Sequence, residues 1–270
     1  MARGSDRNGG PGRRGGYRAP VLTAGVDLAT EPAGTALATI EWTGDAAAVR
    51  SVALGVSDDD IISTAGQAGR LGIDCPLGWP DDFLAFLQAH QAGHVLAPSE
   101  VAGLDWRRRL AYRETDRAVR ELTGLTPLSV AADRIGLTAM RAAGLLARLA
   151  ADGRPVDRAG TGVVVEVYPA ASLKCWGLPH RGYKRAEGSS RREGLVAALQ
   201  DAAPWLSLGS YVDLCLRSDD ALDAVVAALT SRAAAVGRVT APSEVDRAQA
   251  AREGWIALPT GSLRSLASAP

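Results

Sequence analysis

The chain is poor in lysine, in aromatic residues and in ligands for soft metals. Among its 270 residues only Lys174 and Lys184 are lysines, so arginine carries nearly all of the positive charge. Arginine suits bidentate phosphate contacts, although an Ala-rich, Arg-for-Lys composition also follows from codon bias. Aromatics make up 5% of the chain, so the core has to be built from Ala, Val, Leu and Ile. Charge of either sign is not in excess, because Lys+Arg and Asp+Glu are both 30. That balance excludes a uniformly basic nucleic-acid coat and a highly charged disordered chain, but not a local basic face. The three cysteines, Cys75, Cys175 and Cys215, form no C-x-x-C pair, and His90, His94 and His180 have no zinc spacing. A structural zinc site and a disulfide framework are therefore not expected. No apolar run reaches the length of a membrane span, and the N-terminus lacks the apolar segment of a signal peptide. A soluble cytoplasmic protein is the expectation.

What is present reads as one α/β domain. Residues 1–20 are dominated by Gly, Arg and Pro and read as a disordered basic tail, either a sequence-blind nucleic-acid arm or a passive solubilising segment. Order is expected over 21–260, with a short tail at 261–270. Strand-like runs at 21–29, 35–42 and 47–55 have turn-length gaps and predict an antiparallel meander. A helix with an acidic first turn follows at 58–69, then a strand at 70–78, giving a βββαβ start. Helices are expected at 81–93, 99–124 and 129–152, forming a helical block over 81–152. A strand at 162–170, a Gly/Pro/Arg loop at 177–192, helices at 192–206 and 218–237, and a last strand or hairpin at 253–259 complete the chain.

Carboxylates stand in unusual places. Asp27 lies in AGVDLA, Asp74 in GIDCPLG and Glu166 in VVVEVYP, each inside an apolar strand-like run. Asp219, Asp220 and Asp223 lie in the first turns of an Ala-rich helix. An unpaired carboxylate is costly to bury. Each has an ordinary reading too: turn or cap chemistry, an ion pair, or a solvated helix face. Three in successive strands, with an acidic helix start, converge at one sheet end if the strands are neighbours. Oxygen ligands without His or Cys favour Mg2+ or Mn2+. Two such ions support in-line phosphoryl displacement.

The segments GVDLA, IDCPLGWP, YRETDR, VEVYPAASLKCWG, SDDALDAVVAAL and EGWIALP occur in the order seen in the DUF429 family. The chain resembles that family, a set of predicted nucleases of the ribonuclease H-like fold, over about residues 21–260. The resemblance implies a mixed five-stranded sheet, three antiparallel strands first, with 81–152 as a helical insertion beside the active face. It implies catalytic roles for Asp27, Asp74, Glu166 and Asp223, and metal binding by Asp27, Asp74, Asp223 and Asp220. Asp219 competes with Asp220 for the accessory place. Arg113 and Asp116 match an R-x-x-D segment of the family, which makes Arg113 a substrate-contact candidate.

Two basic features add to this. Arg109, Arg113, Arg117 and Arg120 share one face of the long helix expected at 99–124, suited to a phosphate backbone or to a salt-bridged solvent face. Arg181, Lys184, Arg185, Arg191 and Arg192 lie in the loop after the Glu166 strand, with Lys184 and Arg185 the preferred substrate contacts. Trp79 is a candidate for base stacking or core packing, and His180 for a general acid. Cys75 and Cys175 are expected as buried small hydrophobes. The leading expectation is a metal-dependent nuclease of DNA or RNA using two Mg2+ or Mn2+ ions. A non-catalytic nucleic-acid or protein-binding module is the alternative. An actin- or sugar-kinase-like ATPase ranks lower, since the Gly-rich phosphate loops it needs are missing.

Overall fold

The computed structural model describes residues 21–94 and 103–267. The N-terminal tail expected at 1–20 lies outside the described residues.

Strands β1 (Val21–Asp27), β2 (Ala36–Thr43) and β3 (Ala46–Leu54) form the expected antiparallel meander. Strand β4 (Arg70–Asp74) pairs parallel to β1, and β5 (Val164–Glu166) parallel to β4. A two-residue strand, β6 (Leu206–Ser207), extends the outer edge parallel to β3. The sheet is therefore six-stranded, in the order β5-β4-β1-β2-β3-β6, not five-stranded. This mixed sheet flanked by helices is consistent with a ribonuclease H-like α/β fold. The strand expected at 253–259 makes only single bridges, Ile256 to Glu166 and Pro259 to Val239. Within the segment expected as a C-terminal tail, Leu263 and Leu266 are buried in the core.

One face of the sheet is covered by α1 (Asp58–Gln67) and α5 (Gly136–Ala151). Helix α1 starts in a capping box: the Ser57 hydroxyl accepts from the Asp60 amide, and the Asp60 carboxylate accepts from the Ser57 amide. Ile61 and Ala65 of α1 pack with Ala142, Leu145 and Leu149 of α5 against Val26 and Ile73. The last helix of the expected insertion thus belongs to the core. The rest of that block comprises α2 (Asp81–Gln91), α3 (Leu104–Ala111) and α4 (Glu114–Thr123). The single helix expected over 99–124 is broken at Tyr112–Arg113, where the backbone is extended. The Arg113 amide donates to the Asp116 carboxylate at 2.9 Å, which starts a new helix there. The arginines at 109, 113, 117 and 120 consequently do not form one stripe.

The other face holds α6 (Pro169–Cys175), α7 (Ser189–Ala202), α8 (Val212–Arg217) and α9 (Asp219–Ala235). Helix α9 is buried on every side from Ala221 to Ala234, which its Ala/Val/Leu composition permits. It lies unusually close to the sheet because Gly25 and Gly72 face each other across β1 and β4. A Cβ on Gly25 would stand 2.1 Å from the Ala228 nitrogen, and one on Gly72 2.7 Å from the Ala227 oxygen. The two glycines form a notch that seats the helix backbone. Gly25→Ala is expected to destabilise the protein by at least about 3 kcal/mol, since neither backbone can yield. Urea unfolding checks this; an unchanged midpoint would contradict the notch. Among the described residues no helix is long and apolar enough to cross a membrane.

Candidate metal centre

The notch that admits α9 also sets the site. Asp27 and Asp74 follow Gly25 and Gly72 by two residues, end their strands, and are register partners. Side chains alternate along a strand, so both carboxylates rise on the α9 side of the sheet. Asp223, one residue before the Ala224 carbonyl that fills the notch, meets them from the helix. One carboxylate oxygen from each of Asp27, Asp74 and Asp223 lies within 4.8 Å of the others. Asp220, one turn earlier on α9, acts electrostatically on Asp27 and helps to raise its carboxyl. Asp219 instead turns toward Arg192, at 3.8 Å. The ambiguity between them thus resolves to Asp220 as the residue beside the cluster.

Two side chains of the 177–192 loop close over Asp223. The Tyr183 hydroxyl donates to Oδ1 at 2.8 Å, and Lys184 Nζ lies 2.6 Å from Oδ2. The loop is held by Arg192, which the sequence placed among the phosphate contacts. That residue is buried: Nη1 donates to the carbonyls of Tyr183 (2.7 Å) and Arg185 (3.1 Å). Its Nε and Nη2 donate to the Leu216 and Arg217 carbonyls at the end of α8. Arg185 adopts a left-handed backbone (φ 63°), with an exposed side chain outside the lining of the cleft over the carboxylates. The structure thus places Arg185 outside the cleft, at a turn.

The electrostatics are those of a site short of cations. Burial pushes the Asp27 carboxyl up to about 9, helped by Asp74 and Asp223. Burial pushes Asp74 up to about 7; Lys184 opposes the shift, while Asp223 and Glu166 add to it. Asp223 is raised too, by burial against the pull of Lys184 and Tyr183. Burial alone would lower the Lys184 ammonium, but Asp223 and Asp74 outweigh it and hold it above its ordinary value. Clustered oxygen ligands whose charges repel unless neutralised fit a hard divalent cation.

Glu166 does not join the cluster. The β4–β5 register pairs it with Ile73, one residue short of Asp74, so it shares the face of Ile73. There it forms a bidentate pair with Arg113, Nη1 to Oε2 at 2.8 Å and Nη2 to Oε1 at 2.7 Å, and Oε2 also accepts from the Leu77 amide. Arg113 spends its remaining donors on Asp116 and on the Glu253 carbonyl. All five guanidinium donors are satisfied inside the protein, which leaves none for a substrate phosphate. Arg113 and Glu166 tie the start of α4 to the sheet.

Asp27 and Asp74 open into a cleft of about 710 Å3, whereas Asp223 is fully buried and outside its lining. Its lining comes from the connection between α4 and α5, from Tyr168 and from residues 180–184. His180 and Arg181 line it; Trp79 does not, and packs against the core instead. Cys75 is buried as expected, whereas Cys175 is exposed at the end of α6. Sequence reasoning missed Tyr183 and Arg134, which also lines the cleft. No spacing marks either one. It also passed over the paired G-x-D triplets, Gly25–Asp27 and Gly72–Asp74, the signal that would have singled out the two strand ends.

The profile of the DUF429 family, described as a protein of unknown function, matches residues 25–247, and the chain belongs to that family. No curated protein and no solved structure matches the chain.

Proposed function

We propose that this DUF429 protein is a metal-dependent nuclease, a cytoplasmic hydrolase of phosphodiester bonds in DNA or RNA. The observation that carries the reading is the convergence of Asp27, Asp74 and Asp223 within 4.8 Å, with Asp27 and Asp74 lining a cleft that Arg134, Arg181 and Lys184 also line. Asp27, Asp74 and Asp223 would hold Mg2+ or Mn2+, with Asp220 as the fourth carboxylate that a pair of ions requires. Bound there, the ions supply charge neutralisation and activate water for in-line attack on phosphorus. Tyr183 fixes the orientation of Asp223 through Oδ1. Lys184 keeps a positive charge beside Oδ2, at the mouth of the acidic cluster, where it can stabilise charge on a phosphate oxygen. The unpaired thiols Cys75, Cys175 and Cys215 suit a reducing compartment. A purely structural role gives no account of three converging, mutually repelling carboxylates, one fully buried and two half-buried.

The proton linkage supplies a test. Asp27 and Asp74 sit at about 9 and about 7 in the folded protein, above the ordinary carboxylate range. The folded state therefore holds protons that the unfolded chain releases, and metal-free stability falls as pH rises from about 4 toward 9. A divalent cation replaces those protons, so its stabilising effect grows over the same window. Melting curves with and without Mg2+ at pH 6 and pH 8.5 should show a lower metal-free Tm and a larger metal-induced rise at the higher pH. The companion assay is cleavage of labelled single-stranded, double-stranded and branched DNA and RNA in Mn2+ or Mg2+. No metal effect on Tm at either pH, together with no cleavage, would end the nuclease reading.

A further inference from the structure

The cleft holds more than the carboxylates need. From Asp27 the chain runs through Leu28 and Ala29 to Thr30, whose hydroxyl lies 3.1 Å from that of Thr138 on α5. This hydroxyl pair lines the cleft beyond the acidic cluster. Beside it stands an apolar wall of Pro127, Leu128 and Ile135, and Leu128 is left 46% exposed there. Arg134 and Arg181 line the same cavity, and both are exposed. Among the described residues neither makes an ion pair or a hydrogen bond, unlike Arg109, Arg117 and Arg252, which are paired.

Each part matches one part of a nucleotide. The acidic cluster suits a phosphate together with its metal ions. The two free guanidiniums suit the phosphates on either side. The apolar wall suits the flat face of a base, and the paired hydroxyls suit its polar edge or the sugar. The volume lies in the range of small-ligand pockets, about 300–1,000 Å3. It holds one nucleotide and not a stacked duplex.

Resting on the nuclease reading above, we propose that the cleft selects a single unpaired nucleotide. Its base lodges against Pro127, Leu128 and Ile135, and Arg134 and Arg181 grip the adjoining phosphates. The substrate class is then single-stranded nucleic acid, or an extruded nucleotide in a larger structure.

Binding separates this proposal from the catalytic one. Fluorescence anisotropy would use the full-length protein with Ca2+ and four labelled probes: a single strand, the same strand with one central abasic site, its full duplex, and that duplex with one bulged nucleotide. The single strand and the bulge should bind at least about tenfold tighter than the duplex, because the duplex must unstack a base to enter. The abasic strand should lose affinity, because nothing fills the apolar wall. Leu128→Ala should weaken the single strand about fivefold to tenfold with an unchanged salt slope. Arg134→Ala should weaken it and reduce the salt slope by about one. Both positions are exposed, so both variants should fold. Equal binding of strand and duplex, or of intact and abasic strands, overturns the proposal even if cleavage is found. Base-dependent single-strand binding without any cleavage upholds this use of the cleft while the hydrolytic reading falls.

Discussion

Asp27→Asn is expected to abolish metal-dependent cleavage while making the metal-free protein more stable. The two effects share one cause. The Asp27 carboxyl is pushed up to about 9 by burial and by Asp74 and Asp223. Near pH 8 the folded protein must keep that carboxyl protonated, whereas the unfolded chain ionises it. An asparagine removes this penalty, and a gain on the order of 2 kcal/mol is expected. The same change removes one anionic oxygen from the set that would hold the ions. Metal assistance contributes several kcal/mol to phosphoryl transfer, so a loss of about 10³-fold in rate is expected. Urea unfolding and a cleavage assay on one preparation check both parts. A variant that is less stable without metal, or that keeps its metal-induced rise in Tm, would show that Asp27 is structural.

Arg113→Met is expected to act in the opposite sense, through the fold. The guanidinium holds Glu166 and Asp116 by four of its hydrogen bonds, deep inside the protein. Without it two buried carboxylates stand unneutralised. Breaking one partner of such a network costs about 3–5 kcal/mol. Removing the stranded charges should recover part of that loss, so Arg113→Met combined with Glu166→Gln and Asp116→Asn should be more stable than Arg113→Met alone. Denaturant titration of the two proteins decides it. A loss below about 1 kcal/mol for Arg113→Met would mean the network contributes little. If Arg113 instead gripped substrate, the variant would keep its stability and lose only affinity.

The contrast between these two variants also marks what the sequence made legible. The β meander and α1 follow from local signals: short apolar runs, turn residues and the Ser57–Asp60 cap. Asp27 and Asp74 were visible as acids inside apolar runs. Glu166 looked the same in the sequence and fell on the opposite face, because a one-residue offset in strand register carries no local mark. The break at Arg113 was equally hidden, since arginine and leucine continue at helical spacing through it. It depends on Asp116 and on the distant Glu166 and Glu253. The inward role of Arg192 rests on carbonyls at 216 and 217, which no spacing rule connects to it. Residues that bind through side-chain type were readable; residues that act through a partner far along the chain were not.

The glycine notch has a consequence for how such a protein can change over generations. Asp27, Asp74 and Asp223 are anchored to packing in which a single methyl group has no room. The wall bearing Leu128 and Arg134 sits on a connection between two helices, where side chains face solvent and insertions are tolerated. Under the nuclease reading proposed above, chemistry and selectivity would be written on separate parts of the chain. Descendants could then exchange one substrate for another by altering the connection alone, while the reaction stayed fixed by two glycines and the helix they admit.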